Sequence, residues 1–156
     1  MVQGGPLQST AVEIRLLGPD DADVLANVAA DVFDSPIDTR WSREFLADER
    51  HHLAVALDEG VVVGFTSAVH YVHPDKAPEL WINEVGVAPT HQGRGIGRQL
   101  IGAILSRART LGCAEAWVAT EGSNAPAQRL YSAMGGVADP ERFIMYTFYL
   151  SEGERA

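Results

Sequence analysis

Leu80-Trp81-Ile82-Asn83-Glu84-Val85-Gly86-Val87, followed shortly by Gln92-Gly93-Arg94-Gly95-Ile96-Gly97, is the stretch that decides the fold. The first part reads as a strand and the second as a glycine-rich turn. A helix follows, with Leu100, Ile101, Ile104, Leu105, Ala108 and Leu111 at helical spacing on one face. A glycine-rich turn at a helix N-terminus aims several backbone N–H groups at one spot, and the helix dipole adds partial positive charge there. Such a turn is built for a phosphate. Glu84 lies on the strand just before it, so the stretch pairs a phosphate cradle with a nearby acid.

Outward from this centre, the elements alternate. Residues 12–17 read as a first strand. Gly18-Pro19-Asp20-Asp21 reads as a helix start, with Val24, Leu25, Val28, Ala29 and Val32 repeating at helical spacing behind it. Asp34-Ser35-Pro36 breaks that helix, and a second short one starts near Asp38 or Thr39 and runs through Phe45 and Leu46. Residues 52–57 and 61–72 form a hairpin around Asp58-Glu59-Gly60. Two prolines make residues 73–78 a loop. Beyond the central helix, Gly112 serves as a C-cap and residues 114–120 as a strand. A helix capped by Ser123 or Asn124 runs to about Met134, and residues 143–150 read as a last strand. The order predicts an α/β layered sheet with an antiparallel first half.

The 156 residues fit one domain with a real core, spanning residues 11–150, with a flexible leader at 1–10 and a polar tail at 151–156. The N-terminus lacks the basic and apolar regions of a secretory signal, and no apolar run approaches bilayer length, so the expected location is the cytoplasm. Cys113 is the only cysteine, which excludes an intramolecular disulfide. His51, His52 and His91 read as surface or loop residues, and the histidines form no metal-ligand spacing, so no metal is expected. The net charge of −9 argues against a nucleic-acid partner. Its distribution is uneven. Residues 1–91 carry 15 acids against 5 Lys/Arg, a balance of −10, whereas residues 92–156 carry 6 acids against 7 Lys/Arg, a balance of +1. The half with the glycine turn suits a phosphate, and the other half suits a cationic second substrate.

Three phosphate-binding patterns compete for the turn. A P-loop needs a Gly-Lys pair, and the chain has none. A dinucleotide fingerprint needs G-x-G-x-x-G after a first strand. Here Gly93, Gly95 and Gly97 have another spacing and follow the fourth strand. The third pattern, Gln/Arg-x-x-Gly-x-Gly/Ala between a strand and a helix, is met by Gln92-Gly93-Arg94-Gly95-Ile96-Gly97 at every defined position. With this motif and this element order, the chain resembles the GCN5-related N-acetyltransferase (GNAT) superfamily over residues 12–150.

The resemblance implies the GNAT fold: a mixed, mostly antiparallel central sheet, helices on both faces, and fourth and fifth strands that splay apart. It implies acetyl-coenzyme A as cofactor, with the pyrophosphate on Gln92, Gly93, Arg94, Gly95, Ile96, Gly97 and Arg98. The pantetheine arm would pair with the backbone of Val85, Gly86 and Val87, where Gly86 leaves room for close approach. Asn124, Ala127 and Tyr131 match the helix that completes the cofactor site, although Asn124 is also a plain N-cap and Tyr131 fits a core position.

Acetyl transfer to an amine needs a neutral nucleophile, a polarised carbonyl, a stabilised leaving thiolate and alignment of both substrates. Glu84 is the candidate base, directly or through water, and burial in its apolar run would raise its pKa toward neutrality. The alternative is a Glu that pairs with an Arg or only attracts the acceptor. Tyr131 is the candidate acid, and a backbone amide near Val87 the oxyanion donor. No Cys nucleophile is required, which fits direct transfer in a ternary complex.

Within the superfamily, residues 79–87 look most like aminoglycoside 3-N-acetyltransferases of the gentamicin type. This implies a small-molecule cationic amine as substrate, faced by the acid at Glu84; with the −10 balance it leads to the expectation that Asp34, Asp38, Glu79, Glu84 and Glu121 line its pocket. Other acceptors (a protein N-terminus, a lysine, a metabolite amine) and a non-catalytic acetyl-coenzyme A-binding module remain open. An apolar last strand would support a homodimer.

Overall fold

The structure is a computed structural model and describes residues 11–139, 141 and 143–151. Five strands form one sheet in the order β1-β2-β3-β4-β5: β1 Glu13–Leu17, β2 His51–Asp58, β3 Val61–Tyr71, β4 Glu79–Val87 and β5 Glu115–Val118. The first four pair antiparallel and β5 joins β4 in parallel. Three helices complete the framework: α1 Thr39–Ala47, α2 Ile96–Thr110 and α3 Ala125–Ala133. The mixed, mostly antiparallel sheet is therefore as the sequence predicts. None of the helices described is long and apolar enough to cross a membrane.

Register fixes which side chains share a face, because residues directly opposite in neighbouring strands point the same way. On one face lies α2, whose Ile96, Leu100, Ile101, Ile104 and Ala108 are buried. Gly64 of β3 faces them so closely that a Cβ there would sit 3.3 Å from Leu100. On the opposite face, Phe33 stacks on Phe65 with centroids 3.9 Å apart. The backbone of Val32 crosses directly over Gly86. The segment leading into α1 thus covers the face opposite α2.

The β4–β5 ladder runs only from Glu79↔Glu115 to Ile82↔Val118. From Asn83 onward β4 continues five residues with no β5 partner. The two strands separate there, as the resemblance implies.

Three expectations are corrected. The helix expected from Gly18 through Val32 is only a 3-10 turn, Ala22–Ala26. Asn27 turns extended, and the backbone of Asn27 and Ala29 pairs with Val62, which draws Val28 into a parallel bridge. The 3.6-residue spacing of valines and alanines was fulfilled by burial rather than by helix. Residues 143–150 form no sheet ladder and are exposed throughout, so the expected last strand is absent among the described residues. Their β-prone composition finds no paired edge to secure it. Finally, His52, read as a surface or loop residue, is buried on β2, with its Nε2 2.8 Å from Nδ1 of His70 on β3. The expected leader lies outside the described residues, as does the tail beyond Ser151.

Candidate active site

The glycine turn is shaped by backbone geometry. Gly93 and Gly95 adopt φ of 76° and 77°, a conformation side chains disfavour, and a Cβ at either would meet nothing within 4 Å. Gly95 is the N-cap of α2 and brings no side chain to cap it. The first amides of α2 are therefore left for an outside acceptor. Arg94 and Arg98 are exposed beside them, in no ion pair among the described residues. Gln92 is committed differently: its Nε2 donates to the Val87 carbonyl at 3.1 Å, tying the turn back to β4. His91 adds a second tie, with Nε2 2.7 Å from the Asp58 carboxylate and Nδ1 2.8 Å from the Thr90 hydroxyl.

Other glycines answer to packing. A Cβ on Gly97 would press to 3.2 Å from Leu130, so this glycine lets α3 approach α2. A Cβ on Gly86 would lie 2.6 Å from the Val32 carbonyl oxygen and 2.8 Å from the Phe65 ring. The close approach expected at Gly86 is thus made by the protein's own backbone. The side chain of Ile96 is in the core, which leaves only its amide for the turn.

Glu84 owes its position to a bulge. Ser67 of β3 faces Glu84 and Ala68 faces Ile82, so Asn83 is the extra residue. The carboxylate is exposed rather than buried, and the Ser67 hydroxyl stands 3.5 Å from its Oε2. The expected desolvation of Glu84 is therefore not provided by its surroundings: the bulge turns it outward, beside the unpaired stretch of β4. Val85 and Val87 are half-buried on that stretch.

Tyr131 is half-buried against the core, and burial raises its phenol above the ordinary value. Asn124 caps α3, its side-chain oxygen accepting from the Ala127 amide at 3.2 Å. That amide is consequently engaged within the helix start. Cys113 is half-buried against the core, and burial raises its thiol.

The acidic residues expected around an acceptor take different parts. Asp34 lines a cleft of about 550 Å³ between the 3-10 turn and α1, together with Asp23, Asp31, Phe33 and Arg43. Through Phe33 and Phe65 this cleft adjoins the Glu84 face of the sheet. Asp38 spends its carboxylate on the N-terminus of α1, accepting from the amides of Arg40 and Trp41. Glu79 is held by Lys76 at 3.3 Å, His73 at 3.4 Å and the Tyr71 hydroxyl at 3.1 Å. Burial alone would raise its carboxyl; these hydrogen bonds and the charges of Lys76 and His73 outweigh it and hold the group below its ordinary value. Glu121 is exposed on the loop before α3.

A sequence reading passes over the aromatic cluster beyond Glu84. Trp81 and Trp117 meet edge to face, with centroids 3.8 Å apart. Trp117 Nε1 donates to the Tyr71 hydroxyl and Trp81 Nε1 donates to Asn83 Oδ1.

Residues 23–135 match the model of the acetyltransferase (GNAT) family. The chain belongs to that family. It is 37% identical over 110 residues to a streptothricin acetyltransferase of Streptomyces lavendulae, a match covering 70% of this chain and 56% of that one. It is 33% identical over 101 residues to an aminoglycoside N(6′)-acetyltransferase type 1 of Salmonella typhimurium, covering 61% and 69%. The chain thus spans little more than half the length of the first of these relatives. Its fold is shared with an aminoglycoside acetyltransferase from an uncultured soil metagenomic sample, solved in complex with sisomicin. The TM-score is 0.77 and the identity 20%, covering 90% of this chain and 97% of that one.

Acetyl-coenzyme A is the cofactor of this family, and the site fits it. The open amides at Gly93–Gly95 and the start of α2, flanked by Arg94 and Arg98, suit a pyrophosphate. The β5-side edge of β4 beyond Ile82, paired only to β3, suits an extended amide-bearing arm. When bound, the cofactor supplies the acetyl thioester.

Proposed function

We propose that this protein acetylates a primary amine of a cationic aminoglycoside-type antibiotic, by direct transfer from acetyl-coenzyme A. The observation that carries the reading is the placement of Glu84. It sits within the part of β4 that has no β5 partner and on the sheet face that adjoins the cleft of Asp23, Asp31 and Asp34. Acids along this route attract a polycation and orient it toward the cofactor side. Names among the relatives, streptothricin and aminoglycoside acetyltransferase, support the same acceptor class.

In this reading Glu84 takes the proton of the attacking amine, directly or through a water, at the solvent edge of the strand. Tyr131 keeps a proton at Oη for the leaving thiolate, and its burial favours the protonated phenol. A backbone amide near Val87 donates to the developing oxyanion. The amides of Gly93, Gly95 and Gly97, with Arg94 and Arg98, hold the pyrophosphate. Val85, Gly86 and Val87 align the arm, while Asn124 and Ala127 shape the start of α3 beside it. Asp34 and Glu121 contribute acceptor-side charge. Asp38 and Glu79, engaged inside the protein, act on the acceptor only through the field they share. The gentamicin 3-N resemblance and the N(6′) relative point to different amines of one ligand class, and mapping the product by NMR distinguishes them.

The enzyme is expected to work in the cytoplasm. The exposed apolar residues of 143–150, among them Phe143, Ile144, Phe148 and Leu150, support a homodimer, checked by light scattering on the eluting protein.

The deciding experiment measures free-thiol release from acetyl-coenzyme A with sisomicin, putrescine and an N-terminal peptide as acceptors, across a salt series. Turnover with sisomicin that weakens as salt rises is the expected outcome. Turnover confined to the peptide overturns the antibiotic reading, and cofactor binding without turnover on any amine overturns the catalytic one.

A further inference from the structure

Trp81 and Trp117 are two large aromatic residues that the hydrophobic core does not use. Trp117 keeps 46% of its surface exposed although it stands on a strand. Ordinarily such a ring is costly to leave in water, since burying it would release ordered apolar hydration.

Both rings are nevertheless fixed. The indole N–H of Trp117 donates to the Tyr71 hydroxyl at 2.5 Å, and that hydroxyl in turn donates to Glu79. Glu79 is anchored by Lys76 and His73. The indole N–H of Trp81 donates to Asn83, the bulge residue itself. With both donors occupied inside the protein, the rings offer a ligand only their π-faces. A π-face attracts a cation or the C–H side of a saturated ring.

Position decides what the faces serve. Trp81 lies opposite Val69 and Glu84 opposite Ser67, so both point to the same side of the sheet. Their partners on β3 are two positions apart, a distance of about 7 Å along the strand. That spacing matches an acceptor whose reacting amine lies at Glu84 while a neighbouring ammonium-bearing ring lies over the indoles.

We propose that the Trp81–Trp117 pair is an acceptor subsite, a fixed aromatic wall that receives a cationic, ring-containing part of the substrate while its amine is held at Glu84. The inference rests on the amine-acetylating function proposed above. It adds that selection among amines is made by π-faces rather than by the acids alone. Glu79, saturated by its own partners, orients the wall instead of meeting the substrate.

The test is steady-state kinetics of the full chain with sisomicin and putrescine, comparing wild type, Trp117→Leu and Trp117→Tyr. Trp117→Leu should raise KM for sisomicin about tenfold, with kcat within threefold and KM for acetyl-coenzyme A unchanged. Trp117→Tyr, which restores a π-face, should recover most of the loss. As a readout that needs no substitution at the wall, a Trp41→Phe background should show a saturable fluorescence change on titration with sisomicin. An unchanged sisomicin KM in Trp117→Leu overturns the inference alone. So does a loss confined to kcat or a flat fluorescence titration. Turnover of putrescine only overturns the antibiotic reading and this inference with it. Thiol release with no amine overturns the proposed function and this inference with it.

Discussion

Trp81 and Glu84, three positions apart in the chain, face the same side of the sheet because the bulge at Asn83 absorbs one residue between them. Without the bulge, alternation would send one of the two toward α2. The unpaired stretch of β4 begins at the same residue, where the β5 ladder ends. The bulge that turns the carboxylate outward and the opening of the strand edge thus fall at one position.

Glu84→Gln keeps the size of the side chain and removes its basicity. A fall in kcat of about 10²-fold near neutral pH is expected, the lower end of what general-base groups contribute. The affinity for acetyl-coenzyme A should stay as in wild type, since Glu84 is away from the glycine turn. A raised KM for the amine acceptor with unchanged kcat would instead assign Glu84 to substrate attraction alone.

Tyr131→Phe removes the phenolic proton with little change in packing. A loss of at least about tenfold in kcat is expected if Oη serves the leaving thiolate. Burial raises the wild-type phenol above its usual range near 10. The proton is then retained across neutral and mildly alkaline pH, so wild-type kcat should show no alkaline limb from this group below about pH 10. A pH–rate profile on both proteins checks this.

Glycines at 86 and 95 should fail in different ways. Gly86→Ala drives a methyl to 2.6 Å from the Val32 oxygen and 2.8 Å from Phe65. Overpacking of this kind costs about 1–3 kcal/mol, so the melting temperature should drop by several degrees. Gly95→Ala meets no neighbour but must hold φ near 77°. Its stability cost is about 1–2 kcal/mol from the left-handed conformation, and KM for acetyl-coenzyme A should rise as the turn reshapes. Calorimetry together with cofactor titration separates the two.

The parts legible in the sequence were those whose cause is local. The buried face of α2 follows from helical spacing, the helix starts near Asp38 and Asn124 from side-chain chemistry, and the glycine turn from its motif; that Asp38 is a cap and not an acceptor contact was not legible. Misreadings arose where the cause lies far along the chain. Val28 leaves its helical pattern because Val62, 34 positions later, offers backbone pairing. A Gly86 reserved for Val32 looks in sequence like a Gly86 reserved for a ligand. No residue type announces the bulge at Asn83, so neither the exposure of Glu84 nor the Trp81–Trp117 wall was visible beforehand.

Acid should destabilise the fold through His52. The ring is buried between β2 and β3 against His70, and burial first, then the charges of His70, Arg107 and His51, push its pKa down to about 4. In the unfolded chain the group returns to about 6.5. Between these values the unfolded state binds more protons, so stability is full above about pH 6.5 and declines as pH falls toward 4. The shift corresponds to about 3 kcal/mol across that window. For a chain of this size that is a drop of roughly 6–12 °C in melting temperature, beyond what carboxylates add. His52→Gln keeps an amide donor for His70 and cannot titrate. Its melting temperature should fall less steeply between pH 7 and 4, and identical slopes for the two proteins would remove His52 from the account.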